Sequence, residues 1–219
     1  CNFQTDTFVV NGFNDFVIVK YDAVGNELWA KQFGGPNTNM INIKTESITD
    51  IKFDPIGNCI YATGGFVETI NFGGIILNST PNLEQAFIAK FDLNGNCIWA
   101  KKVGSAADDA ITKITTDPSG NLFIAGSFPF AGAIDTLAVQ AGGFLAKCDS
   151  IGTGLWAKKI FSNHFGADPA YGIITLKYLY NDLFMSGYSL DSVTIDTIAF
   201  TKTNYQSQIL TRWDGNGNI

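Results

Sequence analysis

The chain has 219 residues, 46% of them hydrophobic and 16% charged, with a formal net charge of −6. That is enough apolar material for a sizeable core, while the acidic balance and the lack of a lysine or arginine cluster exclude a nucleic-acid surface, which needs basic groups to neutralise phosphates. No run of 18 apolar residues occurs, which excludes a membrane-spanning helix, and 23 glycines with 13% aromatics lean towards many short strands and turns.

In chain order, Asp6 to Asn11 (DTFVVN) reads as a short strand. Asp15 to Gly34 (DFVIVKYDAVGNELWAKQFG) follows as two apolar runs about an Asp-x-x-Gly-Asn turn. Asp22 supplies a side-chain acceptor at the turn's first position and Gly25 a residue tolerant of positive φ at its fourth, so the element is a β-hairpin with a type I turn closed by a bulge. Ser47 to Gly64 (SITDIKFDPIGNCIYATG) is a second kind of hairpin, and Phe72 to Asn78 (FGGIILN) a second short strand.

The chain then says all of this again. Ala86 to Gly104 (AFIAKFDLNGNCIWAKKVG) repeats the first hairpin with Asp92, Gly95 and Trp99 in place of Asp22, Gly25 and Trp29. Its apolar centre and lysine-bearing end predict strands mostly buried in the middle and wet at the ends. Ala110 to Gly126 (AITKITTDPSGNLFIAG) repeats the second hairpin, Asp135 to Gln140 (DTLAVQ) the short strand, and Gly143 to Ile160 (GFLAKCDSIGTGLWAKKI) the first hairpin with Asp149 and Trp156. A last round runs through Tyr171 to Gly187 (YGIITLKYLYNDLFMSG), Asp196 to Thr201 (DTIAFT) and Ser207 to Ile219 (SQILTRWDGNGNI), which carries Asp214. Asp22, Asp92, Asp149 and Asp214 recur at intervals of 70, 57 and 65 residues, Trp29, Trp99 and Trp156 at 70 and 57, and Tyr61, Phe123 and Phe184 at 62 and 61. A fixed period of this size marks a repeat architecture.

Each full repeat is therefore strand, turn, strand, a short accessory strand, strand, turn, strand. Four antiparallel main strands are the content of a propeller blade. The combination DPSGNLFIAGSF followed by DTLAVQAGGFLAKCDSIGTGLWAKK resembles the bacterial SBBP β-propeller repeat. The resemblance covers nearly the whole chain, departing at the degenerate turn Tyr178 to Asp182, the missing glycines after Ile160 and the insertion Ser162 to Ala170. It implies a secreted or surface-attached bacterial propeller protein without general catalytic activity. The expected fold is all-β: a partial propeller of about three and a half blades, with repeats near 1–35, 46–105, 109–162 and 170–219 of one domain. A closed ring usually needs at least four blades. The two ends cannot complete one another, so the chain reads as part of a longer protein, or as a stack closed by partners or other copies.

No catalytic, cofactor or metal site emerges. His164, the one histidine, sits in the insertion and reads as an exposed loop residue. Gly-x-Ser-x-Gly, His-x-x-x-His, Cys-x-x-Cys and Gly-x-x-x-x-Gly-Lys are missing. Asp108 and Asp109 adjoin, but strand neighbours point to opposite faces and make a poor acid/base pair. Asp92-x-Asn94-Gly95-Asn96 and its Asp214 counterpart open like a calcium loop but lack the completing acid, and read as plain turns. Cys59, Cys97 and Cys148 occupy packing slots rather than a disulfide framework, and Cys1 reads as a cleaved or arbitrary start, with a lipid-bearing first residue as the alternative. Trp29, Trp99 and Trp156 are expected to pack between blades rather than to stack sugars. Two functions follow: an extracellular scaffold or adhesion module contacting a protein or glycan surface, or an enzyme or carbohydrate-binding propeller whose site lies in blades outside this chain.

Overall fold

The computed structural model describes residues 7–12, 14–36, 46–161, 172–189, 193–195, 198–200 and 207–219. Among them there is no helix, and so none long and apolar enough to cross a membrane. β1 (Phe16–Tyr21) and β2 (Glu27–Phe33) form a two-stranded sheet. β3 (Ser47–Asp54) and β4 (Cys59–Phe66) lead into a small hairpin, β5 (Thr69–Asn71) and β6 (Ile76–Asn78), and then into β7 (Gln85–Phe91) and β8 (Cys97–Val103). The long strands make a four-stranded antiparallel sheet in the order β3-β4-β7-β8. The unit recurs as β9 (Ala110–Thr116), β10 (Leu122–Phe128), the small hairpin β11 (Gly132–Ile134) and β12 (Leu137–Val139), β13 (Gly142–Cys148) and β14 (Gly154–Phe161). A third round supplies β15 (Gly172–Leu179), β16 (Asp182–Ser189), the small hairpin β17 (Val193–Ile195) and β18 (Ile198–Phe200), and β19 (Ser207–Trp213), with the long strands in the order β15-β16-β19.

The core is layered between sheets. Phe16, Phe33, Phe66, Phe72 and Phe87 fill the space between the first and second sheets. Ile88, Val103, Ile111, Ile114 and Phe144 lie between the second and third, and Phe123, Leu145, Leu176, Met185 and Trp213 between the third and fourth. Middle strands are thus covered on both faces, which is why β7, β10 and β13 read as continuous apolar runs, not alternating ones. The expectation of strands buried at their centre holds for β7 and fails for β8: an edge strand keeps one side open, and Ile98 is 53% exposed.

The accessory element is not the single strand expected at Phe72 to Asn78, Asp135 to Gln140 and Asp196 to Thr201. It is a hairpin of its own, because the residues taken into the strand include its turn. Gly73 and Gly74, at φ 77° and 115°, reverse the chain between β5 and β6, while Asp135 at φ 54° begins the two-residue reversal between β11 and β12. In the first copy residues 7–11 form no strand, and Asp6 lies outside the described residues, as does the insertion with His164. These hairpins also tie sheets together, since Asn71 bridges to Gly34 and Ala133 to Gly104, each at the end of the preceding sheet.

The degenerate turn of the third round has its own solution. Leu179 pairs with Asp182, leaving Tyr180 and Asn181 at φ 53° and 68°, the two positive values of a type I′ turn. The two Asp-Pro-x-Gly-Asn turns also differ. Asp117 forms the bulged turn of the main hairpins, whereas Asp54 pairs directly with Cys59 and Asn58 takes the positive φ of 45°.

Candidate functional site: a clasp repeated between sheets

The clasp begins with an aspartate turn. At Asp22, Asp92, Asp117, Asp149 and Asp214 the backbone N–H donates to the carbonyl four residues on, at 2.8–3.0 Å, and the residue three on donates back at 3.0–3.2 Å. The carboxylate then accepts the remaining inward N–H groups: Asp92 Oδ1 takes those of Asn94 and Asn96, both at 2.8 Å, and Oδ2 takes Asn96 Nδ2 at 2.9 Å. Glycines at the fourth position carry φ of 77–91°. Bonds from Asn26 and Asn218 hold the Asp22 and Asp214 carboxyls below the usual carboxylate range.

The turns at Asp92, Asp149 and Asp214 each receive groups from the sheet before them. Trp29 on β2 donates from Nε1 to the carbonyl of Leu93 at 2.9 Å, and Lys20 on β1 donates from Nζ to the same oxygen at 3.1 Å. Lys90 reaches Ser150 O at 3.3 Å and Lys147 reaches Gly215 O at 3.2 Å, always the residue after the turn aspartate. The tryptophan ring lies on the turn glycine: a Cβ at Gly95 would stand 2.9 Å from Trp29, one at Gly152 2.9 Å from Trp99, and one at Gly217 3.1 Å from Trp156. Only a glycine lets the turn come so close, and the same residue also needs the positive φ. At Gly25, by contrast, a Cβ would meet nothing within 4 Å.

An aromatic on the second strand completes the clasp. Lys90 lies over the Tyr61 ring at 5.2 Å and Lys147 over Phe123 at 5.0 Å. Those rings meet the tryptophans, Tyr61 with Trp99 at 6.1 Å and Phe123 with Trp156 at 6.0 Å. Tyr61 also donates its hydroxyl to Ser150 O at 3.2 Å, and Lys147 pairs with the buried Asp117 at 3.3 Å. Trp99 and Trp156 leave their Nε1 atoms without a partner. In the last sheet Arg212 stands in the lysine's place and bonds Asp182 instead, at 2.6 and 2.9 Å.

So the sequence-selected residues meet pairwise across sheets: Trp29 with the Asp92/Gly95 turn, Trp99 with the Asp149 turn, Trp156 with the Asp214 turn. Their tryptophans sit on β2, β8 and β14, each opposite its lysine in the ladder. The lysines were not singled out in the sequence, though Lys20, Lys90 and Lys147 each precede their tryptophan by 9 residues, a spacing that marks them. Asp109 is buried, accepts from Ser105 N at 2.6 Å and Ser105 Oγ at 2.7 Å, and is raised above the usual carboxylate range by burial; Asp108 instead accepts the Glu84 N–H at 2.9 Å. Cys59 and Cys148 are buried and, with Cys97, unpaired thiols. Among the described residues no three His, Cys, Asp or Glu side chains converge as a metal site. A cavity of about 180 Å³ beside Gln140, Phe144, Lys158 and Lys159 is smaller than the usual small-molecule site and holds no acid or nucleophile.

No family model matches the chain. Over 124 residues it is 28% identical to an uncharacterized WD repeat-containing protein, L264, of Acanthamoeba polyphaga mimivirus. That similarity covers 54% of this chain and spans 9% of the relative's length.

Proposed function

We propose that the chain is an arc of β-propeller blades of the SBBP type, working as a non-catalytic scaffold for protein contacts outside the cell or at its surface. The clasp carries this reading. One set of lysine, tryptophan and turn contacts is made at three successive junctions, so each sheet is held to the next in the same relation, and a constant relation between units builds a rigid curved array. Among the described residues the polar groups of the repeat serve these junctions and do not gather on one rim as a catalytic constellation would. The name of the mimivirus relative, a WD repeat protein, agrees with an interaction role.

The surface offered to a protein partner is the outer edge of the sheets. Leu28, Ile98 and Leu155 occupy the same place on β2, β8 and β14, just before the tryptophan, and are 55%, 53% and 50% exposed. One aliphatic side chain per repeat makes a spaced apolar row that a protein can cover, whereas a sugar would need aromatic faces and converging polar groups. The test is capture from a cell-surface protein fraction and from a glycan array by the immobilised chain. Saturable protein capture that is lost in the Leu28→Lys, Ile98→Lys, Leu155→Lys triple variant, with an unchanged far-ultraviolet spectrum, supports the reading. Glycan binding, or capture that ignores the triple variant, overturns it.

A further inference from the structure

The repeats provide an internal control for every surface position, and four positions at one end disagree with their copies. Tyr21 closes β1 as Phe91, Cys148 and Trp213 close β7, β13 and β19; it is 51% exposed where the other three are 0–1%. Ile51 on β3 lies opposite Ala62 as Ile114 lies opposite Ile124 and Leu176 opposite Met185, and it is 48% exposed where they are 3% and 4%. Phe53 is 52% exposed, while its equivalents are buried Thr116 and half-buried Tyr178. Lys20 makes its clasp to Leu93 O without the ring that Lys90 and Lys147 lie over.

All four are explained by one layer that the described residues do not supply at this end. In the later junctions the buried face of the first strand is covered by the first and second strands of the sheet before it. Those strands also supply the ring under the lysine and pair with the third strand, as β4 pairs with β7 and β10 with β13. Among the described residues the first sheet has only β1 and β2, and there β1 keeps a ladder edge unpaired and β3 an apolar face uncovered. A free edge beside an uncovered apolar face is a template for an added strand.

We propose that β1 and β3 form a docking site for a two-stranded antiparallel hairpin of this repeat's own first-and-second-strand type. Its second strand pairs along Phe16–Tyr21. An aromatic on that strand enters between Lys20 and Phe53, as Phe123 lies between Lys147 and Tyr178 with the Phe123 and Tyr178 rings stacked at 5.5 Å. Opposite Val17 the strand carries glycine, because Gly64 and Gly126 stand opposite the equivalent Phe87 and Phe144. Its first strand covers Ile51. This follows from the repeat geometry alone and does not depend on the scaffold reading or on ring closure.

The probe is a fluorescein-labelled synthetic peptide with the sequence of residues 109–128, the β9–β10 hairpin, added to the full 219-residue chain. A hairpin of this size is marginal when free and orders on the template. Anisotropy should show saturable binding that weakens at least tenfold in Ile51→Asp/Phe53→Asp and also in Tyr21→Asp, a milder change at an exposed side chain. Leu210→Asp, on the far end of the molecule, should bind as the parent does. Absence of saturable binding overturns the proposal, as does equal binding to the β3 variants. Light scattering covers the remaining case: a dimer dispersed by the Ile51 and Phe53 substitutions but not by excess peptide would make the occupant a second copy, and would overturn the assignment to a hairpin.

Discussion

Glu46 is 1% exposed, and neither carboxylate oxygen has a hydrogen-bond partner. It stands where Asp109 stands in the next repeat, but Gly35 replaces the Ser105 whose N–H and hydroxyl satisfy Asp109. Burial, with a smaller push from the nearby Asp15 and Glu68 carboxylates and against the opposing pull of Glu46's own backbone N–H, brings the Glu46 carboxyl up to about 7 from 4.5. The folded chain therefore keeps this proton to higher pH than the unfolded chain, so folding is favoured below about pH 4.5, weakens as pH rises to about 7, and is level above. Glu46→Gln should raise stability at pH 8 by on the order of 1–3 kcal/mol and flatten the urea midpoint between pH 5 and 8. An unchanged pH profile in the variant would refute this. Glycine offers a second comparison at the same scale. Gly25 and Gly95 hold similar φ, 91° and 78°, but only Gly95 lies against Trp29 and Lys31. Gly25→Ala should cost about 1–2 kcal/mol for the left-handed backbone, and Gly95→Ala about 1–3 kcal/mol more for overpacking. Equal losses in thermal melts of the two variants would mean that the ring yields freely.

Between elements, the tryptophans differ in one bond. Trp29 Nε1 has the Leu93 carbonyl, and Trp99 Nε1 has nothing. Trp29→Phe should lose about 1 kcal/mol more than Trp99→Phe, which removes a buried N–H that had no partner. Denaturant titration of the two variants measures the difference directly. The turn beneath Trp29 is equally explicit: Asp92 already accepts three hydrogen bonds from its own segment, so EDTA should leave the melting temperature where it was, and a drop reversed by calcium would show an ion there. What could be read from sequence, and what could not, divides along this line. The aspartate turns and the strands beside them were legible because Asp, Gly and Asn act within five residues. The accessory hairpins were not, because Gly73-Gly74 and Asp135-Thr136 sit inside apolar runs whose periodicity fits one strand as well as two short ones. The part played by Lys20, Lys90 and Lys147 was not legible because their acceptors lie 73, 60 and 68 residues away. Glu46 was invisible because its state depends on a missing serine in the neighbouring segment.

At the scale of the whole molecule, stability should be unequal along the array. The second and third sheets are four-stranded, and their middle strands β7, β10 and β13 are almost wholly buried. Among the described residues the first sheet has two strands with β1 unpaired on one side, and the last has three with β19 unpaired on one side. In a linear array each unit is stabilised by its own sheet and by its neighbours, so units with fewer strands and one neighbour open first. Hydrogen exchange should therefore find the amides of β10 and β13 slowest, with β1 and β19 exchanging at least a hundredfold faster. Trp29 reports the first junction and Trp156 the last, so single-tryptophan variants followed by fluorescence should give denaturation midpoints below that of the central Trp99. Coincident midpoints at all three positions, with uniform protection from β1 to β19, would mean instead that the clasps couple the sheets into one cooperative unit. In that case the contacts of Lys20, Lys90 and Lys147 with the following turns would outweigh the missing strands at either end.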